Sequence, residues 1–365
     1  MKFLLFGTGK VASQVIEGIS RSGVEIEIAG VVDNDESKQG GVFYGNPIMG
    51  PEHIFEISYD YICILLERGY TEVYNQLLFG YHIERFRLVN RFFLLKQMMI
   101  NKYRDSTDKD ICATLAYWEK NKLTFFNQFE YASVQFERVF WDTENNMPYI
   151  LYEDKRVYYP REYSGFFVID DVLCVRSYRE MEQHKCSPHR YLTPEICIKE
   201  GDVVVDAGAR EGDFALLFID RIKKLYLFEC DPRWVRALKL TYKEYLNKVT
   251  IIPKLLSDKV SEYEITLAEA IGDEKISFLK MDIEGAEVKV LQASKEILAN
   301  NDIRCAICCY HRKNDRIDIE QILMKNGYKC SASNGYVVFI ADEDIFETAD
   351  FRKGIVYASK PGMGI

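Results

Sequence analysis

Hydrophobic and polar residues follow the same order of elements in two stretches of this chain. The first stretch opens with an apolar strand at Lys2–Phe6 and a glycine turn at Gly7–Ala12. The next apolar residues lie on one face of a helix with a 3.6-residue period: Ala12, Val15, Ile16 and Ile19. A second strand, Glu27–Val32, ends beside Asp33. With further strands predicted at Tyr61–Leu66 and Phe86–Val89, this pattern indicates a small α/β unit with a parallel sheet.

The second stretch begins near Gly201 and runs to about Ile340. A buried strand at Asp202–Val205 leads into the turn Asp206–Gly212. The helix after the turn has one apolar face: Phe214, Leu217, Phe218 and Ile222. Three more buried strands follow, each ending in polar residues: Leu225–Phe228 before Glu229, Ile276–Met281 before Asp282, and Ile303–Tyr310 before His311. A second α/β unit is therefore predicted.

Between the two stretches, residues 91–135 are aromatic and helix-like. Three short runs then alternate like an antiparallel meander: Val139–Trp141, Tyr149–Tyr152 and Arg156–Tyr159. We therefore predict three regions: an N-terminal Rossmann-like domain (1–95), a helical connector (96–135) and a larger α/β domain (136–365).

Polar groups at the carboxyl ends of parallel strands meet on one rim of a sheet, where α/β proteins bind ligands. Asp206, Glu229, Asp282 and His311 all have such positions. Glycines in the turn after Asp206 let the backbone approach a ligand closely. Glu229, about 20 residues further on, can accept hydrogen bonds from both hydroxyls of a ribose. Turn and acid together indicate a ligand that contains adenosine.

Five blocks of the chain resemble the FkbM family of methyltransferases. They are Gly201–Gly208, Phe228–Pro232, Lys280–Glu287, Ser187–Tyr191 and Tyr310-His311. The resemblance covers about half of the chain, and its most specific block is Asp-Ile-Glu-Gly-Ala-Glu. Cys230 departs from the family, which more often has proline there, but Glu229 is in place.

The resemblance implies a class I, Rossmann-like methyltransferase domain that uses S-adenosylmethionine. Members of the family mostly methylate hydroxyl groups, often in sugars or glycan precursors. The resemblance therefore implies an O-methyltransferase that acts on a saccharide, with a role in glycan biosynthesis. The residues expected to contact the cofactor are Asp206, Gly208, Ala209, Gly212, Glu229, Cys230 and Asp282.

A sugar hydroxyl is a weak nucleophile, so a base near the transferred methyl group should help the reaction. The candidates are His311, then Asp282 and Glu284. We expect His311 to accept the hydroxyl proton, while Asp282 seats the cofactor or the base. Each residue also has a structural explanation. His311 could end a buried strand, Asp206 could cap a turn, and acids at the start of a helix, such as Glu284 and Glu287, favour its dipole.

The N-terminal stretch fits the dinucleotide pattern, with alanine in place of the last glycine. Its candidate nucleotide site contains Gly7, Gly9, Lys10 and Asp33. No residue suited to hydride transfer stands out there. A recognition or docking module, with a nucleotide-sugar as its candidate ligand, is therefore favoured over an oxidoreductase.

The composition of the chain limits its possible binding partners and its cellular compartment. The chain has 365 residues, 47 of them basic and 56 acidic, and its net charge is −9. Such a surface does not favour nucleic acid, and no apolar run approaches the ~20 residues of a membrane span. The ten cysteines show no disulfide framework and indicate a cytoplasmic protein. Neither Cys305, Cys308 and Cys309 nor His184, Cys186 and His189 form a convincing ligand set, so no metal is expected.

Two other functions remain open from the sequence. One is an NAD-dependent oxidoreductase whose second domain binds the substrate. The other is a non-catalytic nucleotide-binding protein that keeps the fold without turnover.

Overall fold

The structure is a computed structural model, and it describes residues 1–126, 135–177, 183–340 and 344–362. The chain divides into two compact units. The first contains residues 1–127 and 338–351, and the second contains residues 128–337 and 352–365.

The first unit is built on a six-stranded sheet in the order β3-β4-β2-β1-β5-β6. Its strands are β1 (Lys2–Phe6), β2 (Glu27–Val32), β3 (Val42–Phe43), β4 (Asn46–Met49), β5 (Tyr61–Ile64) and β6 (Leu88–Asn90). All pairs in this sheet are parallel except β3 with β4. The predicted α/β unit with a parallel sheet is therefore confirmed. Its last strand begins later than predicted because Arg85–Arg87 forms a 3-10 turn.

Helices cover both faces of this sheet. They are α1 (Lys10–Ser22), α2 (Tyr70–Asn75), α3 (Arg91–Tyr103) and α4 (Lys109–Trp118), with a 3-10 turn at Pro51–Glu56 and a π turn at Gln76–Gly80. Phe3 and Leu5 pack with one apolar cluster, and Leu4 and Phe6 pack with the other. Strand side chains alternate between faces, so β1 supplies both cores.

The boundaries of the first unit differ from the predicted division at residue 95. The stretch predicted as a connector supplies Met98, Met99 and Trp118 to the same core as Phe3. A short helix near the other end of the chain, Ile345–Thr348, places Phe346 in that core as well. Both segments belong to the first unit because their apolar side chains are buried there.

The second unit begins with antiparallel strands. They are β7 (Gln135–Arg138), β8 (Phe140–Asp142), β9 (Met147–Tyr152), β10 (Lys155–Tyr158), β11 (Phe166–Ile169) and β12 (Val172–Ser177). The order β10-β9-β8 forms one sheet and β11-β12-β7 forms another. The first of these is the predicted meander. The three strands of the second sheet, β7, β11 and β12, lie outside the runs that the sequence pattern indicated.

A seven-stranded sheet in the order β15-β14-β13-β18-β19-β23-β20 forms the centre of the second unit. The strands from here on are β13 (Val203–Ala207), β14 (Lys224–Phe228), β15 (Val249–Ile252), β16 (Leu255–Leu256), β17 (Glu264–Ile265), β18 (Phe278–Met281), β19 (Arg304–Cys308), β20 (Lys329–Ala332), β21 (Val337–Val338), β22 (Phe351–Arg352) and β23 (Ile355–Ser359). The first five strands of the order are parallel, and β23 is antiparallel to both neighbours. This mixed sheet confirms the class I, Rossmann-like α/β fold.

The helices of the second unit are α5 (Asp213–Leu216), α6 (Pro232–Thr241), α7 (Leu267–Ile271), α8 (Glu287–Ala293), α9 (Lys295–Asn300) and α10 (Asp315–Lys325), with a 3-10 turn at Lys243–Tyr245. The core contains Val205, Phe228, Leu279 and Ile307 from four adjacent strands. Within the described ranges, no helix has the length and apolar character needed to cross a membrane.

Candidate active site

The carboxyl ends of β13, β14, β18 and β19 lie side by side, as the sequence predicts. The strand pairings place Ala207 opposite both Phe228 and Met281, and Met281 opposite Ile307. The turn after β13, Glu229 and Asp282 therefore share one rim of the sheet. His311 joins them from the loop that follows β19.

The glycine turn is held against the two neighbouring strands by its backbone. The amides of Gly208 and Ala209 both donate to the carbonyl oxygen of Phe228, at 3.1 and 3.0 Å. Gly208 has a φ of +78°, and a Cβ there would lie 1.8 Å from the carbonyl oxygen of Asp282. Gly212 also has a positive φ, +72°, and its Cβ would lie 2.4 Å from a side-chain atom of Leu238. Only a glycine at position 208 lets the turn lie this close to the Asp282 loop.

Replacing Gly208 by alanine should lower the free energy of unfolding by about 2 to 5 kcal/mol, because backbone strain and a clash with backbone both contribute. Gly201→Ala is the matched control. Gly201 has a φ of +77°, but nothing lies within 4 Å of an added Cβ. The control should lose only about 1 to 2 kcal/mol. Urea unfolding followed by tryptophan fluorescence measures both variants, and equal losses would contradict the assigned role of Gly208.

Glu229 has a carboxylate that is already oriented by backbone amides. Its Oε2 accepts from the amide of Arg210 at 3.0 Å, and its Oε1 accepts from the amide of Asp231 at 2.8 Å. An ionised carboxylate offers about four acceptor positions, so capacity remains for the hydroxyls of a ligand. The neighbouring Cys230 is exposed to solvent. Partial desolvation of its thiol and the nearby charge of Glu229 both raise the pKa of that thiol.

Asp206 lies beneath the turn rather than on its surface. Its side chain is fully buried, and its Oδ1 lies 2.9 Å from the ammonium of Lys280, its partner in the register of β13 and β18. Lys280 also donates to the carbonyl oxygen of Gly208 at 2.7 Å. Burial raises the pKa of the Asp206 carboxyl, against the opposing effect of Lys280. Asp206 therefore supports the turn through Lys280, which contacts both the Asp206 carboxylate and the Gly208 carbonyl oxygen.

Asp282 is surrounded by hydroxyl and imidazole groups. Tyr191 donates to its Oδ2 at 2.9 Å, and Tyr310 donates to its Oδ1 at 3.2 Å. His189 Nε2 lies 3.7 Å from Oδ2 and 3.2 Å from the Tyr310 hydroxyl. Burial alone would raise the pKa of Asp282, but His189, Lys280, His311 and Tyr191 hold it at about 2. Asp282 is therefore ionised at neutral pH.

Three of these partners were not among the predicted site residues. Tyr191 and His189 belong to the block Ser187–Tyr191, and Tyr310 precedes His311. In those blocks only His311 had an assigned role. Tyr191 and Tyr310 donate to Asp282, and His189 lies beside both Asp282 and Tyr310. Burial lowers the pKa of His189 to about 4, so this ring is neutral at physiological pH.

His311 lies between carboxylates on both sides of its ring. Nδ1 lies 3.1 Å from Oε1 of Glu287, whereas Nε2 lies 3.4 Å from Oδ1 of Asp282 and 3.5 Å from Oε2 of Glu284. Burial works against the charged imidazolium, but the surrounding carboxylates outweigh it and raise the pKa of His311. Glu284 is the exposed member of the group, with a side chain 90% accessible to solvent, and its φ is +55°.

Two sets of side chains among the described residues are close enough to share a metal ion. They are His189, Asp282 and Cys308, and Asp282, Glu287 and His311, each with ligand atoms within 4.8 Å of one another. Cys305, Cys308 and Cys309 are buried free thiols, and burial raises their pKa values. In the second set, the ion pair of Glu287 with His311 already explains why two of the three groups are close.

In the first unit, the residues of the predicted nucleotide site have other contacts. Asp33 accepts from the amide of Thr8 at 2.8 Å, from the Thr8 hydroxyl at 2.5 Å and from the amide of Asp35 at 2.9 Å. Lys38 lies 3.4 Å from the same carboxylate. A Cβ on Gly7 would lie 2.7 Å from Leu66, whereas Gly9 at the start of α1 faces open space. Four donors within the protein therefore already contact the Asp33 carboxylate.

Two family models match this chain, one in each unit. Residues 1–87 match the family described as C2185-like, N-terminal, and residues 257–330 match the methyltransferase FkbM domain. No curated protein matches the chain.

Several solved methyltransferase structures are similar to this chain. One is the FkbM methyltransferase of Methylobacillus flagellatus, with 14% identity, a TM-score of 0.41 and coverage of 98% of this chain and 89% of that one. Another is fibrillarin of Aeropyrum pernix with bound S-adenosyl-L-methionine, with 16% identity, a TM-score of 0.32 and coverage of 62% and 100%. The segment that matches the methyltransferase FkbM domain lies in the second unit and contains Asp282, Glu284 and His311.

Proposed function

We propose that this protein transfers the methyl group of S-adenosylmethionine to a hydroxyl group of a saccharide or glycan precursor. The proposal rests on one arrangement of side chains. The glycine turn, the oriented Glu229 carboxylate and the Asp282–His311 pair lie together at the carboxyl ends of adjacent strands. The saccharide acceptor and a role in glycan biosynthesis rest on the family resemblance.

The residues of the rim fit a cofactor that contains adenosine. Glu229 keeps acceptor positions for ribose hydroxyls, and both of its oxygens are fixed by backbone amides. The turn from Gly208 to Gly212 and the exposed Cys230 would complete the cofactor site, while Asp206 and Lys280 support it from below. S-Adenosylmethionine would supply a methyl group that its sulfonium already activates.

The chain's own residues provide orientation and a proton acceptor. His311 Nε2 points toward Asp282 and Glu284, and it would accept the proton of the acceptor hydroxyl. The ionised Asp282, fixed by Tyr191 and Tyr310, stabilises positive charge on this side of the rim. The exposed Glu284 is suited to bind the acceptor. Holding the nucleophile in line with the methyl group supplies much of the rate enhancement.

Calorimetric titration of S-adenosylhomocysteine into the full chain tests the proposal. We expect a single site with a dissociation constant on the order of micromolar. NAD and UDP-sugars serve as parallel titrants. Clear binding of NAD without binding of S-adenosylhomocysteine would contradict the proposal and favour the oxidoreductase. Binding of S-adenosylhomocysteine without any methyl transfer across a panel of saccharides would favour the non-catalytic protein.

For the first unit, we propose a recognition or docking role, with a nucleotide-sugar as the candidate ligand near Gly9 and Lys10. The internal bonds of Asp33 argue against an NAD site, because three hydrogen bonds and the contact with Lys38 already use most of the acceptor capacity of its carboxylate. The UDP-sugar titration above tests this role. Heat release that persists in a Glu229→Ala variant would assign the nucleotide-sugar to the first unit.

A further inference from the structure

Glu287 is a buried carboxylate whose position the helix dipole does not explain. It is the first residue of α8, where an acid is favourable, but such an acid gains the same benefit when exposed to water. The side chain of Glu287 is completely buried instead. Burying an ionised carboxylate is costly unless the group is paired and hydrogen-bonded. The burial of Glu287 therefore needs an explanation other than the helix dipole.

The contacts of Glu287 connect α8 to the rim. Its Oε1 accepts from the amide of Ile283 at 2.9 Å and lies 3.1 Å from Nδ1 of His311. Its Oε2 has no hydrogen-bond partner among the described residues. The amide contact fixes the carboxylate in the loop after β18. The imidazole contact then fixes the ring of His311.

The two ring nitrogens of His311 consequently face different surroundings. Nδ1 faces a buried acceptor, and Nε2 faces the rim, where Asp282 and the exposed Glu284 are its neighbours. In a neutral imidazole one nitrogen carries the proton and the other accepts one, and the partner of the first decides which is which. Carboxylates flank both nitrogens, but the contact of Nδ1 with the buried Glu287 is the shorter, at 3.1 Å against 3.4 and 3.5 Å for Nε2. An ionised carboxylate accepts hydrogen bonds only, so Glu287 favours the proton on Nδ1.

We propose that Glu287 is a positioning residue, which holds the His311 proton on Nδ1 and so makes Nε2 the nitrogen that accepts the proton of the substrate hydroxyl. This inference rests on the proposed methyltransferase function. As the bond between the hydroxyl oxygen and the methyl carbon forms, the methyl–sulfur bond breaks and its electron pair stays on sulfur. The hydroxyl proton passes to Nε2, the resulting imidazolium is stabilised by Glu287, and it later loses its proton to water.

The titratable and charged groups around His311 come from five segments of the chain. Glu287 lies on α8, Asp282 and Glu284 follow β18, and Asp315 begins α10. The neutral His189 precedes the large sheet, and Arg352 of β22 donates to the carbonyl oxygen of His311. The carboxylates together raise the pKa of His311 against the effect of burial. A raised pKa keeps the imidazole protonated to a higher pH, so turnover should increase as pH rises through that value. Removing the Glu287 charge should move this limb of the pH profile to lower pH.

Nitrogen-15 NMR of labelled histidines tests the proposal without any need for activity. The chain has five histidines, and His311→Ala identifies the resonances of interest. Above the pKa of His311, we expect the neutral ring in the Nδ1–H form. In Glu287→Gln, whose amide can donate to Nδ1, we expect a shift toward the Nε2–H form. Glu287→Asp, which keeps the charge, should retain the original form. An unchanged tautomer in Glu287→Gln would overturn the inference.

Kinetics provides the second readout. In Glu287→Gln, kcat should fall about 100-fold or more, with the affinity for S-adenosylhomocysteine unchanged. Glu287→Gln in a His311→Ala background should cause no further loss, because the two residues act as one unit. Additive losses with an unshifted pH profile would indicate a structural role only and would overturn the inference. If S-adenosylhomocysteine does not bind the wild-type chain, the proposed function fails, and the NMR result is still decisive for Glu287.

Discussion

Substituting alanine for His311 is expected to lower kcat by about 10²- to 10⁴-fold while the affinity for S-adenosylhomocysteine stays within about twofold. The physical reason is that Nε2 of His311 faces the rim, and its Nδ1 is held by Glu287. Removing the ring removes the proton acceptor and leaves the glycine turn and Glu229 untouched. Initial rates with S-adenosylmethionine and a saccharide acceptor, beside calorimetry of the same preparation, measure the two effects separately.

The competing explanation for His311 is that it only ends a buried strand. In that case His311→Ala would lower stability while folded molecules kept the wild-type kcat. A second variant, His311→Gln, preserves hydrogen-bonding capacity but has no titratable ring, and it should be as slow as the alanine variant. His53→Ala, in the first unit, is the control for loss of a partly exposed histidine and should keep full activity. Wild-type turnover in both His311 variants would remove this residue from the mechanism.

Much of the candidate site could be predicted because it depends on where strands end. The apolar runs before Glu229 and Asp282 are short and are bounded by charged residues, so the sequence locates the rim. The carboxyl ends of parallel strands then bring these residues together without any knowledge of the loops. His311 required one further element, the loop after β19, and the strand there is shorter than the apolar run suggests.

The contacts that the sequence did not indicate depend on strand register and on burial. Asp206 pairs with Lys280 only because β13 and β18 are neighbours in that register, although 70 or so residues of chain separate them. Glu287 has the sequence position of an ordinary helix-start acid, and only its burial distinguishes it. The segment that returns to the first unit contains a helix of four residues, which is too short to give a periodic signal.

Three titratable groups that lie close together at the rim have pKa values shifted in different directions by their surroundings. The pKa of Asp282 is held at about 2, that of His189 is lowered to about 4, and that of His311 is raised. Groups whose surroundings push their pKa values apart can take different roles at one pH. At physiological pH His189 stays neutral and contacts Tyr310, and Asp282 stays charged. The raised pKa of His311 leaves this residue as the candidate for proton exchange.

Glu229→Ala should weaken the binding of S-adenosylhomocysteine by about 100-fold, since a hydrogen bond to a charged group contributes about 1.5 to 3 kcal/mol. The same change also removes the acceptor for the amides of Arg210 and Asp231. Glu274→Ala is the matched control. It breaks ion pairs with Lys223 and Lys224 near the start of β14, at the other end of the strand. These ion pairs are partly exposed, so the control should bind normally.

The two substitutions at the rim should therefore affect different quantities. Glu229→Ala should raise the dissociation constant of S-adenosylhomocysteine and the KM for S-adenosylmethionine, and kcat at saturation should change much less. His311→Ala should do the reverse, because its ring lies beside Asp282 and Glu284 and has no contact with Glu229 among those described. If Glu229→Ala binds S-adenosylhomocysteine as tightly as the wild-type chain does, the adenosine site does not lie at the end of β14. The rim would then have to be assigned to another ligand.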